Sequence, residues 1–152
     1  MLAGVLVGPK LFNSSESRPP AQIENGIAGC ASAEELSKAV NFPVSDVEKL
    51  PFDAAETNYR SYWGELAEID YVGADGQSAV YRKSLGNDDN SGDYNVYSST
   101  DEITVNTLTV ELRGSSEGYT LACWTDGIYA YSLSLSSEVD AVEWNAIIVG
   151  IE

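Results

Sequence analysis

From Ala67 to Leu135 the chain alternates apolar and polar residues in short runs, and the connections between those runs are mostly too short to hold a crossover helix. A strict period of two places alternate side chains on opposite faces of a strand, and short connections allow only antiparallel neighbours. Ala67, Ile69 and Tyr71 alternate with Glu68 and Asp70; Ala74-Asp75-Gly76 supplies a turn whose Asp-Gly pair suits a type I′ hairpin, and Ala79 and Tyr81 return. Ile103 and Val105 lead to Asn106-Thr107, after which Leu108, Val110 and Leu112 alternate with Thr109, Glu111 and Arg113. Thr107 sits where glycine would be easier. Tyr119, Leu121 and Cys123 alternate up to Thr125-Asp126-Gly127, and Tyr129, Tyr131, Leu133 and Leu135 come back on one face.

Helical signals bracket these strands. Ser32-Ala33-Glu34-Glu35 is a capping box, Leu36, Ala39 and Val40 give an apolar stripe, and Asn41 with Pro43 ends the helix. Near the other end, Ser137 as N-cap and Asp140 at N3 open a helix with Val139, Val142 and Ala146 on one stripe. The sequence therefore predicts an α+β fold: a meandering antiparallel sheet of six or seven strands, with an N-terminal and a C-terminal helix packed on one face. Residues 1–29 read as an apolar stub and tether, and 30–152 as a single domain, a size that suits one core.

Met1 to Val7 is apolar but ends at Gly8-Pro9-Lys10, too short for a bilayer span of about 20 residues. Two readings stay open for it, the outer end of a membrane or signal segment and a short strand or untidy terminus. The tether that follows, with Pro19-Pro20, would suit a domain held near a membrane.

The formal net charge is -16, from 24 acidic and 8 basic residues. A field of that sign repels phosphate backbones, so nucleic acid is not an expected partner. Histidine is absent, which removes the commonest general base, the usual transition-metal ligand and the His-activated nucleophiles. No phosphate loop, nucleophile elbow or HExxH pattern is present.

What remains for chemistry is sparse. Cys30 and Cys123 cannot make a zinc site alone; in an exported protein they suit one disulfide, and otherwise they are two free thiols acting as small hydrophobes. Asn87 to Asp93 begins like a calcium loop, but its twelfth position is Ser98, not the bidentate Glu such a site needs, so no metal is expected there. Glu65, Glu68 and Asp70 lie close together; an alternating strand sends Glu68 and Asp70 to a solvated face, where they need no special role. Aromatic residues crowd the strand region. Trp124 falls on the opposite face from Leu121 and Cys123, away from the layer that the helices should cover, so Trp124 and Tyr94 form the candidate binding surface.

The runs Ser91-Gly92-Asp93-Tyr94-Asn95, ITVNTLTVELRG from Ile103 and LACWTDGIYAYSLSLS from Leu121, with Ala33-Glu34-Glu35 and Phe42-Pro43 upstream, occur in one order. Together they resemble the bacterial domain of unknown function 4367 family over about Ile27 to Ile148. That resemblance implies an extracytoplasmic domain of the Gram-positive cell envelope, found in lipoproteins and in membrane-anchored proteins similar to anti-sigma factors. The function expected from it is non-catalytic sensing or interaction with an unknown protein partner, with no cofactor. The alternative is a module holding a small amphipathic ligand in a groove between sheet and helices.

Overall fold

The computed structural model describes residues 23–24 and 26–151. Its strands are β1 (Ile23–Glu24), β2 (Ile27–Cys30), β3 (Ala54–Tyr62), β4 (Leu66–Gly73), β5 (Ser78–Leu85), β6 (Ser99–Val105), β7 (Leu108–Ser115), β8 (Gly118–Thr125) and β9 (Tyr129–Val139). Two helices, α1 (Ala33–Val40) and α2 (Ala141–Val149), complete an α+β fold. Met1 to Val7 lies outside the described residues. Among the described residues the sheet begins at Ile23, inside the stretch read as tether.

All neighbouring strands are antiparallel, in the order β1-β2-β3-β4-β5-β9-β8-β7-β6. The expected meander of six or seven strands is therefore corrected on two counts. Two strands precede α1, and the meander breaks after β5: residues 86–98 carry the chain to the far edge, and β9 fills the place beside β5. Strand pairing is a contest between edges, and periodicity within one strand does not say which edge wins.

The register divides the sheet into two faces. One row runs Ile69, Tyr81, Leu133, Ala122, Leu112 across β4, β5, β9, β8 and β7, and the next runs Ala67, Lys83, Tyr131, Trp124, Val110. These rows form the core with Leu36 and Val40 of α1 and with Trp144, Ile147 and Ile148 of α2. The expected layer of an N-terminal and a C-terminal helix over one face does not form. α1 meets β2, β3 and β4, whereas α2 meets β6 and β8, at the other end of the strand order. An extended segment supplies further cover: Phe42, Val44 and Val47 are buried, Ser37 Oγ accepts from the Val44 amide at 2.8 Å, and Tyr71 Oη accepts from the Val47 amide at 2.8 Å.

The caps explain the helix limits. Ser32 Oγ accepts from the Glu35 amide at 3.1 Å, the first half of a capping box, while Glu35 reaches one residue past the cap to accept from the Ala31 amide. At α2 the cap is Asp140, whose carboxylate accepts from the Glu143 amide at 2.8 Å. Ser137 is still in β9, which runs to Val139, so the expected cap at Ser137 and the stripe through Val139 are wrong. The buried stripe is Trp144, Ile147 and Ile148, and Val142 is 79% exposed. Two turns also depart from expectation. Only Gly76 of the Asp75-Gly76 pair has positive φ, so this turn is not type I′; in the β6–β7 turn Asn106 takes the left-handed position (φ 56°) and spares Thr107.

Candidate functional site

The polar face is organised by a second row across the strands: Arg60, Glu68, Arg82, Ser132, Cys123, Glu111 and Glu102. Glu68 is only 4% exposed, and the expected solvated face is corrected here. Arg60 donates to Glu68 at 2.9 Å and to Asp70; Arg82 donates to Glu68 through Nε at 2.9 Å; Tyr62 Oη adds a hydrogen bond at 2.9 Å. A buried carboxylate is tolerable only with such partners, and the sequence hides them because cross-strand register decides them. Burial and then the nearby Glu68 raise the Asp70 carboxyl above its usual range, against the opposing pull of Arg60.

Arg82 also holds the connection that breaks the meander. Its Nη1 donates to the carbonyls of Asn90 and Ser91 at 3.1 and 3.0 Å. Gly92 (φ +69°) lets the chain approach that closely, since a Cβ there would stand 2.6 Å from Arg82 Nη1. Asn90 Nδ2 bonds Ser84 Oγ at 2.8 Å and the Ala130 carbonyl at 3.0 Å, and Arg113 holds Asp89 at 2.9 Å. Residues 86–98 thus form a strap across the polar face. Burial alone would raise the Asp89 carboxyl, but hydrogen bonds from Ser91 and Arg113 hold it below the usual range. The calcium-like run is this strap, with Asp89 turned to Arg113 and Asp93 bonded by Tyr97 Oη and the Asn95 amide.

Between the strap, the end of α1 and the β3–β4 turn lies an open groove of about 530 Å³. Val40, Phe42, Leu66 and Leu85 give it apolar walls; Glu65, Arg82, Asp89 and Asn90 give it a polar side, and Tyr94 stands at its rim. Tyr94 is 94% exposed. Asn90 Oδ1 is buried without a hydrogen-bond partner, and the N–H groups of Arg82 are turned to Glu68 and the strap carbonyls. The polar side therefore offers acceptors more than donors.

Trp124 does not join Tyr94. It is buried on the core face, its ring stacked on Tyr131 with centroids 5.3 Å apart. The alternation separating Trp124 from Leu121 and Cys123 is right, but the face assignment is inverted, because register puts Ala122 and Trp124 opposite Leu133 and Tyr131. The cysteines are apart as well. Cys30 sits on β2 and Cys123 on β8, five strand steps away or roughly 24 Å at about 4.8 Å each. Both are free thiols, which corrects the paired reading; burial, then Asp89, pushes the Cys123 thiol up to about 12.

One buried cation escaped the sequence reading. Lys83, 3% exposed, points into the core face and donates to the Pro43 carbonyl, with the rings of Phe42, Tyr129 and Tyr131 round its ammonium. Its parity with Ala79 and Tyr81 is the signal that could have found it. Among the described residues no cluster of three or more His, Cys, Asp or Glu side chains could hold a metal ion, and no helix is long and apolar enough to cross a membrane. No protein-family profile, curated protein or solved structure matches the chain.

Proposed function

We propose that this chain is a non-catalytic recognition domain of the bacterial cell envelope, and that its groove holds a small amphipathic ligand carrying a hydrogen-bond donor. The observation that carries the reading is the juxtaposition of apolar walls, from Phe42, Leu66 and Leu85, with the Glu65 carboxylate on the polar side of the groove. An apolar body would fill the first, and an amine or hydroxyl would satisfy the second. A cationic group is further favoured by a net charge of -16. The extracytoplasmic placement, in lipoprotein-like or anti-sigma-factor-like proteins of Gram-positive bacteria, rests on the motif resemblance.

Catalysis is not part of this reading. The Glu68–Asp70 pair is engaged by Arg60, with Arg82 also on Glu68, and neither carboxylate lines the groove. Recognition of a protein partner through the same rim, anchored by Tyr94, belongs to the same account. The test is a fluorescence titration with dansylcadaverine, a cationic amphipathic fluorophore. Saturable binding that weakens by about 2 kcal/mol in Tyr94→Ser or Leu85→Ser, with melting temperature unchanged, supports the reading. Equal binding by both variants would remove the groove from it.

A further inference from the structure

Among the described residues β6 is the last strand of the sheet, and α2 runs beside it. Asn145 Nδ2 donates to the Thr104 carbonyl at 3.4 Å, so this carbonyl faces away from β7. In an antiparallel ladder backbone groups alternate in direction, so Thr100, Glu102 and Thr104 turn their N–H and C=O groups outward. Beside that edge Ile103, Ala141, Val142 and Ala146 line a shallow apolar groove of about 490 Å³. Val142, 79% exposed, is left there without a buried role.

The charges at this edge have one sign. The cross-strand row that begins Arg60, Glu68, Arg82 alternates in charge, yet it ends at Glu111 and Glu102, two like charges directly opposite. Arg113 bonds Glu111, whereas Glu102 has no ion pair among the described residues. From Ser99 onward the chain has Arg113 as its single basic residue.

From these features we propose that the outer edge of β6 accepts an extended basic peptide as a tenth strand. Its backbone would pair with Thr100 and Glu102, beyond the Thr104 carbonyl that Asn145 occupies; one set of alternate side chains would be cationic against Glu102, and the other set apolar against Ile103 and Val142. The commitment to a basic partner follows from charge. A second copy of this chain pairing edge to edge would bring acidic strand against acidic strand, which is an arrangement that keeps edges apart. This site is separate from the groove beside Tyr94, and neither depends on the other.

The probe is a labelled peptide alternating lysine and valine, matched in length to β6, with a glutamate–valine peptide as control. Fluorescence anisotropy should show saturable binding of the lysine peptide that falls with added salt, and amide exchange should slow at Thr100 and Glu102. Glu102→Lys and Val142→Ser, both surface changes with melting temperature as the folding check, should each weaken binding by about tenfold or more. The proposal is overturned if the glutamate peptide binds equally well, or if slowed exchange falls elsewhere. Self-association abolished by Glu102→Lys would also overturn it, by assigning the edge to a second copy.

Discussion

The Lys83 ammonium stands 4.3 Å from the centroid of the Tyr129 ring, with Tyr131 and Phe42 completing an aromatic enclosure. Three rings and the Pro43 carbonyl replace the water this cation has lost. Burial nevertheless lowers its pKa below the usual lysine range, with Asp126 opposing. Replacing Lys83 by Met keeps the apolar stem and removes the buried charge, so Lys83→Met should change stability by less than about 1 kcal/mol, and Lys83→Ala should cost about 2–3 kcal/mol through lost packing. Urea unfolding of both variants checks the contrast.

Trp124→Ala should behave as a core deletion, costing about 3–5 kcal/mol by loss of packing against Tyr131. Tyr94→Ala should stay within about 0.5 kcal/mol of the parent, since its side chain is almost wholly exposed. Thermal melts of the two variants separate the residues that sequence alone groups together.

That grouping shows what was legible. The alternation from Tyr119 to Cys123 separates two faces, but which face is inside is set by partners on β9 and β7, far along the chain. Glu68 looks like a surface residue until register sets it beside Arg60 and Arg82. Local signals fared better: the Ser32 cap and the polar turn at Asn87 to Asp93 are readable from neighbouring residues. The break after β5 has no local signature, because β9 has to win that edge from across the chain.

Glu68→Gln should cost about 2–3 kcal/mol. This is below the cost of a fully buried pair, because the Arg60 and Arg82 side chains keep 34% and 23% of their surface exposed. Because Arg82 also ties down the strap, Arg82→Met should speed amide exchange at Ser91 and Asp93. Unchanged exchange there would mean that Asn90 and Arg113 suffice to hold the strap.

At alkaline pH the tyrosines set the response. Burial, then the Asp46 hydrogen bond, raises Tyr59 to about 12, and burial leads in raising Tyr71, Tyr81 and Tyr131 as well. A raised folded-state pKa gives stability that is complete below the unfolded value and is lost as pH climbs through the folded one. Stability should therefore fall from about pH 10 upward, with tyrosinate absorbance appearing together with unfolding. The lowered pKa of Lys83 acts oppositely in the window below its own unfolded value, so Lys83→Met should steepen the alkaline loss.

Thiol titration should find two reactive cysteines per unfolded, non-reduced chain, and the melting temperature should not respond to reductant. In the native protein Cys123 should react slowly, because burial under the strap keeps it protonated. A reductant-sensitive melt would contradict the strand separation of Cys30 and Cys123.

The most direct test of the recognition account is an amide chemical-shift map of the isotope-labelled domain titrated with dansylcadaverine. The account predicts saturable shifts concentrated at Phe42, Leu66, Arg82, Asn90 and Tyr94, around the groove they line. Shifts scattered over the acidic surface, or a saturable set that omits these residues, would contradict it.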